Sequence, residues 1–236
     1  FLEGLTSYAP PPRARKADTG MVQPTDPDFS GFVFKIQANM DPRHRDRVAF
    51  VRVCSGRLVK DMTVINGRLD APVRVSRPYR FFGRDRETAT EAYAGDIVGL
   101  VNPGRFAIGD SIYAGTPVRF ADIPRFPAEH FGRLRLEGTR HKQFDEGVRQ
   151  LEEEGLMQVL YSRSGGRDPI VGVVGALQFD VIESRLRTEY NVESRVEKLD
   201  YVTARWLAPD SALLEGNERG VLQTTDRQGR TVLLFG

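Results

Sequence analysis

Hydrophobic and polar residues alternate along the segment that begins at Gly31, and this period of two predicts a β-strand with one buried face. Phe34 and Ile36 alternate there with Lys35 and Gln37. Short apolar runs separated by Gly, Asn, Asp and Pro residues follow at 48–54, 62–65, 72–75, 97–101 and 111–114. Many short strands joined by such turns are typical of a β-barrel, so we expect a closed or nearly closed barrel in this part of the chain.

The pattern changes after Phe120 from strands alone to strands mixed with helices. Apolar residues spaced three and four apart predict helices over 141–154 and 176–190. Strand-like runs precede, separate and follow the two helices, at 134–136, 157–161, 170–174 and 192–199. The resulting order is β-α-β-β-α-β, which predicts a ferredoxin-like α+β plait. We also expect a strand at 201–207 and a hairpin around 226–229.

The first nine residues have the pattern of the last turns of an amphipathic helix, and three prolines, 10–12, then favour an extended linker. We therefore predict three segments. Residues 1–29 are the end of a preceding domain and a linker, residues 30–118 form the barrel, and residues 119–236 form the α+β domain.

Composition and charge narrow the function. The chain holds 34 Lys and Arg against 32 Asp and Glu, yet residues 30–118 alone carry 14 basic and 9 acidic side chains. This local excess of positive charge favours a polyanionic partner for the predicted barrel. No apolar run approaches the roughly 18 residues of a membrane span. The single cysteine, Cys54, lies in an apolar run, which fits a buried side chain in a cytoplasmic protein.

The motifs of several enzyme classes are missing from the sequence. No Gly-rich phosphate-binding loop with Lys and Ser or Thr is present, and neither is a Gly-x-Ser-x-Gly nucleophile elbow. The three histidines, His44, His130 and His141, are far apart, and no Cys or His spacing is that of a metal site. We therefore expect no catalytic, cofactor or metal site in this chain. An enzyme with a site of its own is the rival hypothesis.

Two groups of basic residues are the candidate site. The first lies between the first two predicted strands, and the second surrounds two aromatic pairs, 78–79 and 81–82. Guanidinium groups bind phosphodiester backbones through charge-assisted hydrogen bonds, and aromatic rings stack on exposed bases. The alternative is a set of surface arginines paired with Asp41, Asp46 and Asp85, with the aromatic residues in the core. We interpret the groups jointly as a polyanion-binding site formed by Arg43, His44, Arg45, Arg47, Arg74, Arg77, Arg80, Arg84 and Arg86.

Several longer motifs resemble one known family. The segments 32–42, 45–50 and 55–56 closely resemble the start of the second domain of bacterial peptide chain release factor 3. The turns at 95–100 and 108–110 are similar to later turns of the barrel that translational GTPases share. The segments at 175–181, 185–186 and 189–193, followed by Thr203-Ala204-Arg205-Trp206, are similar to the third domain of the same release factor family.

The resemblance implies a translational GTPase that binds the ribosome and releases class I release factors after peptide release. GTP and Mg would then belong to an N-terminal GTPase domain that lies upstream of this chain, so the chain alone would not be an enzyme. The expected partners are ribosomal RNA, small-subunit ribosomal protein and class I release factors, in the cytoplasm and with the factor as a monomer. Membranes are not expected partners.

Two points stay open from the sequence. The segment after Leu207 departs from the family pattern, which leaves open whether the third domain is complete at its C-terminus. The alternative family assignment is the second and third domains of another translational GTPase, such as elongation factor G, whose reaction is translocation.

Overall fold

The chain divides into two compact units, Phe1–Pro124 and Arg125–Gly236. The structure is a computed structural model, and it describes residues 1–38, 47–82, 85–124, 126–163, 166, 168–208 and 220–236. The division lies a few residues beyond the boundary at 118/119 that the sequence predicts. None of the helices in the described ranges is long and apolar enough to span a membrane.

The first unit consists almost entirely of short strands. One helix, α1 (Leu2–Tyr8), begins the chain and ends before the three prolines. A small ladder of β1 (Arg15–Ala17) and β2 (Gly20–Val22) follows. The remaining strands are β3 (Phe29–Gln37), β4 (Val48–Ser55), β5 (Arg57–Val59), β6 (Thr63–Asn66), β7 (Ala71–Arg74), β8 (Pro78–Phe82), β9 (Asp85–Thr88), β10 (Glu91–Tyr93), β11 (Ile97–Val101) and β12 (Ser111–Ala114).

Eight of these strands form one antiparallel sheet in the order β7-β6-β12-β3-β4-β11-β8-β9, and β5 pairs with β10 separately. One face of the large sheet encloses a core that includes Val33, Ile36, Val51, Leu58 and Leu100. Since both sheets contribute to this core, the fold is a half-barrel. The barrel prediction is confirmed for the fold type, but among the described residues the outer strands β7 and β9 do not pair with each other.

A buried polar network holds one end of the half-barrel together. The carboxylate of Asp110, buried in the turn before β12, accepts two hydrogen bonds from Arg68, Nε to Oδ1 at 2.6 Å and Nη2 to Oδ2 at 3.0 Å. It also accepts hydrogen bonds from the side-chain amide of Asn66 and the backbone amide of Ala107. Asn66 is fully buried, so its side-chain amide must donate to acceptors within the protein. The carboxylate of Asp110 is the charged group among these acceptors.

The single cysteine lies near the end of β4, on the face of the sheet opposite the main core. It packs beside a second apolar cluster that includes Phe32 and Phe120. Burial raises the pKa of the Cys54 thiol to about 11, although Arg15 and Arg52 act in the opposite direction. A thiol that stays protonated at neutral pH is a weak nucleophile, which fits the expected structural role.

The second unit begins with a ferredoxin-like plait. Its elements are β13 (His130–Glu137), α2 (His141–Glu153), β14 (Gln158–Ser162), β15 (Ile170–Val173), α3 (Leu177–Tyr190) and β16 (Glu193–Leu199). The antiparallel strand order β16-β13-β15-β14 is the order that a plait requires, so this part of the fold prediction is confirmed. Helices α2 and α3 cover one face of the sheet over a core that includes Leu134, Leu151 and Ile182.

Three further strands extend the plait. They are β17 (Thr203–Trp206), β18 (Val221–Asp226) and β19 (Thr231–Phe235), and the sheet continues from β14 in the order β18-β19-β17. The hairpin of β18 and β19 turns at Asp226, whose carboxylate accepts hydrogen bonds from the backbone amides of Gln228 and Arg230. Both the predicted strand at 201–207 and the predicted hairpin are present.

We predict that Asp110→Ala lowers the free energy of unfolding of the half-barrel by about 2 to 3 kcal/mol. The substitution removes an acceptor from the buried Asn66 amide and the ion partner from the Arg68 guanidinium. Urea unfolding followed by circular dichroism measures the change. The control is Arg74→Ala, which removes a surface ion pair with Asp61 and should cost less than about 1 kcal/mol. Equal costs at the two positions would contradict the role assigned to the network.

Candidate nucleic-acid interface

The predicted basic residues occupy different places in the half-barrel. Four of them, Arg43, His44, Arg45 and Arg84, lie outside the described residues, as do Asp41 and Asp46. Five are described: Arg47, Arg74, Arg77, Arg80 and Arg86. The segment that carries the first three lies between β3 and β4 in the sequence, and those two strands pair with each other.

Two of the described arginines are engaged with acidic groups of the half-barrel itself. Arg74 lies 3.0 Å from Asp61, and both side chains are largely exposed. Arg80 donates to the carbonyl oxygen of Glu91 at 2.9 Å and lies 3.5 Å from the carboxylate of Asp96. These contacts resemble the surface ion pairs of the alternative interpretation, although the acidic partners differ from those that the sequence suggested.

The other described arginines of the prediction have separate surroundings. Arg77 is exposed in the segment between β7 and β8. Arg47 is half-buried just before β4, and its carbonyl oxygen accepts a hydrogen bond from the backbone amide of Asn102. The guanidinium of Arg86, on β9, lies 6.0 Å from the ring centroids of both Tyr79 and Phe81.

The outward face of the half-barrel carries a row of half-buried aromatic rings, which we call the aromatic face: Phe34, Phe50, Tyr79 and Phe81. The centroids of Phe34 and Phe50 are 6.3 Å apart, and those of Phe50 and Phe81 are 5.0 Å apart. These distances are in the range of favourable aromatic pairs. Four strands, β3, β4, β11 and β8, lie side by side beneath the row.

Gly99, in the middle of β11, makes this arrangement possible. A Cβ atom at this position would lie 2.4 Å from Cε2 of Phe81 and 2.8 Å from Cγ1 of Val48. Phe81 therefore lies directly over a strand position that has no side chain. Val48, an outward-facing residue on the neighbouring strand, is fully buried.

Three cations share the outward face with the rings. The ammonium group of Lys35 is 5.6 Å from the Phe50 centroid, and Arg86 lies beside Tyr79 and Phe81 as described. Arg52 faces outward because it pairs with Ile97, two positions along β11 from Gly99. The sequence interpretation missed Lys35, Arg52, Phe34 and Phe50. The period of two already places Phe50 and Arg52 opposite the core residues of β4, and Lys35 opposite Ile36. Phe34 shares the outward face only because of the bulge between Val33 and Lys35.

Acidic residues of the second unit are matched by arginines. Glu152 and Glu153 end helix α2, and Glu154 follows it; the three pair with Arg227, Arg149 and Arg185 respectively. Burial raises the pKa of Glu152 even though Arg227 and the amide of Val159 favour its charged form. The acidic run is therefore part of the internal packing of this unit.

A surface cleft of about 740 Å³ opens beside helix α2 in the second unit. Phe144 and Val148 contribute its apolar part, and Lys142, Asp145 and Arg149 contribute charges of both signs. Mixed charges give no preference for a polyanion. Within the described ranges, no three His, Cys, Asp or Glu side chains are grouped as a metal site requires.

Comparison with known proteins gives two matches to protein-family models. The model described as class II release factor RF3, C-terminal domain, matches residues 120–236. The model described as elongation factor G domain 2 matches residues 28–124. The two matches follow each other along the chain and correspond closely to the two structural units.

Curated relatives match the chain along its whole length. Peptide chain release factor 3 of Gloeobacter violaceus is 52% identical over 242 residues, and those of Rippkaea orientalis and Microcystis aeruginosa are 49% and 50% identical over 239 residues. Each alignment covers 100% of this chain but only 45%, 44% and 44% of the relative. The chain thus spans less than half the length of these relatives, and it corresponds to their C-terminal part.

A solved structure supports the fold. The crystal structure of ttk003000868 from Thermus thermophilus matches with a TM-score of 0.62 and 23% identity, over 77% of this chain and 27% of that one. At this level of identity the similarity concerns the fold alone.

We predict that Gly99→Ala lowers the free energy of unfolding of the half-barrel by about 1 to 3 kcal/mol, because the new methyl group collides with Phe81 and Val48. In a Phe81→Ala background the same substitution should cost clearly less, since the main obstacle is gone. Urea unfolding of the two single variants and the double variant measures this coupling. Gly175→Ala is the control, because nothing lies within 4 Å of a Cβ atom there. Additive costs at 99 and 81 would show that the ring does not lie over the glycine.

Proposed function

Because the chain belongs to the peptide chain release factor 3 family, we propose that it forms the part of a translation termination factor that contacts the ribosome and other factors. The observation that carries this proposal is the identity of about 50% along the whole chain. The two units, a half-barrel and a plait, agree with the two family models in order and in fold class.

The activity of the whole factor is proposed from the same family membership. The full-length protein binds the ribosome after peptide release and uses GTP hydrolysis to release class I release factors. This sequence holds no phosphate-binding loop, so its residues do not fit a GTP and Mg site. In the proposal these groups belong to the portion of the relatives that the chain does not cover, and the chain itself has a binding role.

A role in translocation is the second candidate, since the half-barrel matches a domain of elongation factor G. The second unit favours termination instead. Its family match is to the C-terminal domain of the class II release factor, and the three extra strands β17, β18 and β19 lie within the matched range.

In the proposal, the half-barrel docks on small-subunit ribosomal RNA. The support is electrostatic: residues 30–118 carry the excess of basic side chains, and several of these belong to strands β3 and β4 and to the segment between them in the sequence. The plait would contact ribosomal protein and the region where class I release factors bind. The proposed factor acts as a monomer in the cytoplasm.

A chimera tests the function directly. We expect that the Gloeobacter violaceus release factor, with its C-terminal part replaced by this chain, still dissociates a class I release factor from post-termination ribosomes in a GTP-dependent reaction. The measurement is the dissociation rate of a fluorescent class I factor. A chimera that binds ribosomes and hydrolyses GTP but leaves the class I factor bound would contradict the proposal.

Charge reversal tests the docking surface. Replacing Arg43, Arg45 and Arg47 with Glu should weaken binding of the chain to small ribosomal subunits and reduce the dependence of log K on log salt, because fewer counterions are released from RNA. Sedimentation over a salt titration measures both quantities. The charge-matched control replaces Arg57, Lys60 and Arg119, three exposed residues, with Glu. If both triple variants bind alike, the segment between β3 and β4 is not the docking element.

A further inference from the structure

The outward face of the half-barrel carries cations at strand positions that alternate with the core. Lys35, Arg52 and Arg86 lie on the outward side of strands β3, β4 and β9. Among the described residues of β3, β4, β8, β9 and β11, no outward position holds Asp or Glu. The register shows why: Glu87 pairs with Arg80 and faces the opposite side from Arg86.

The same face combines its charge with exposed apolar surface. Ile97 and Val101 are 47% and 38% exposed, on either side of Gly99. The rings of the aromatic face lie beside them and are only half-buried. A face with aromatic rings, exposed aliphatic groups and cations has the chemistry of a surface that binds single-stranded nucleic acid.

We propose that the aromatic face binds an unstacked base of single-stranded RNA, with the adjoining phosphates on Lys35, Arg52 and Arg86. This inference rests on the proposed contact between the half-barrel and ribosomal RNA, and it adds the kind of RNA element that is recognised. The RNA must present a loop, a bulge or an extruded nucleotide at this face.

Charge complementarity selects RNA over a protein as the occupant. A protein segment that covered only the apolar groups would place no counter-charge beside Lys35 and Arg52, whereas a nucleotide supplies a base and a phosphate together. The cations also lie at a suitable distance. Lys35 is 5.6 Å from the ring centroid of Phe50, and Arg86 is 6.0 Å from those of Tyr79 and Phe81, so a charge is held beside these three rings.

The geometry of the rings favours a single strand over a duplex. Bases inside an A-form helix are stacked on each other and do not offer their faces to side chains. The phosphates of a duplex would contact the cations, but its bases would not stack on Phe50 or Phe81. The packing of Phe81 over Gly99 and against Phe50 also fixes the shape of the aromatic face. Binding of RNA therefore costs little side-chain conformational entropy.

The test compares two RNA probes on the 236-residue chain. One probe is a fluorescent single strand of about ten nucleotides and mixed sequence, and the other is the same strand annealed to its complement. We expect fluorescence anisotropy to show that the single strand binds about tenfold more tightly than the duplex at equal salt. Equal affinity, or tighter binding of the duplex, overturns the proposal.

Conservative variants separate stacking from charge. Phe50→Leu and Phe81→Leu retain apolar bulk and should each weaken single-strand binding about five- to tenfold while leaving duplex binding unchanged. Lys35→Ala and Arg86→Ala should weaken both probes and lower the salt slope by about one each. Tyr93→Leu, an exposed tyrosine on β10 outside the aromatic face, is the matched control and should change neither. Circular dichroism confirms that each variant is folded.

Ribosome binding by the same variants distinguishes this proposal from the proposed function. If the chain binds small subunits and the Phe→Leu variants bind them equally well, the base-binding role is overturned and the docking function stands. If the unmodified chain does not bind small subunits at all, the docking function fails. Weaker subunit binding by Phe50→Leu and Phe81→Leu, with normal binding by Tyr93→Leu, supports both.

Discussion

The register between β3 and β4 is the constraint on which the first unit depends. Ile36 pairs with Ala49 and Lys35 pairs with Phe50, so the core face and the outward face are both set by one alignment. A slip of one residue would turn Val51 to the solvent and Phe50 into the core. The observed register also contains a bulge between Val33 and Lys35, and pairing resumes after it with Lys35 beside Phe50. The same register therefore determines both which residues pack in the core and which cations lie on the outward face.

Charged side chains have different neighbours in the two units. For this reason the net charge of the whole chain says little about function. In the second unit, Arg149, Arg185 and Arg227 each have a glutamate at the end of helix α2 as a partner, and Arg185 also joins Glu189 of α3. The pairs of Arg185 with Glu154 and of Arg227 with Glu152 connect different elements, whereas Arg149–Glu153 and Arg185–Glu189 each lie within one helix. On the outward face of the half-barrel, cations lie beside rings, and carboxylates are absent from the described strand positions there. The guanidinium group is the same in both units. The neighbouring side chains therefore indicate whether an arginine stabilises the fold or belongs to a candidate binding face.

Much of the fold could be predicted from the sequence because the decisive signals are local. The helices at 141–153 and 177–190 follow from apolar spacing, and strands such as β11 and β12 follow from short apolar runs between turns. Three of the strands that escaped prediction, β5, β9 and β10, are only three or four residues long. Their place is decided by pairing with distant strands, as when β5 joins β10, and such pairing leaves no local pattern.

The candidate site was harder to predict, because residues that are near in sequence are separated by the register. Arg80 and Arg86 lie on neighbouring strands of one hairpin, yet Arg80 pairs with Glu87 and faces one side, whereas Arg86 pairs with Phe81 and faces the other. Grouping arginines by sequence distance therefore mixes residues with opposite roles. A cation is better classified by the side chains around it: Arg80 and Arg74 lie near carboxylates, whereas Lys35 lies near a ring. Since a ring does not neutralise charge, Lys35 beside Phe50 keeps its attraction for a polyanion, and the sheet holds it next to a surface on which a base would stack.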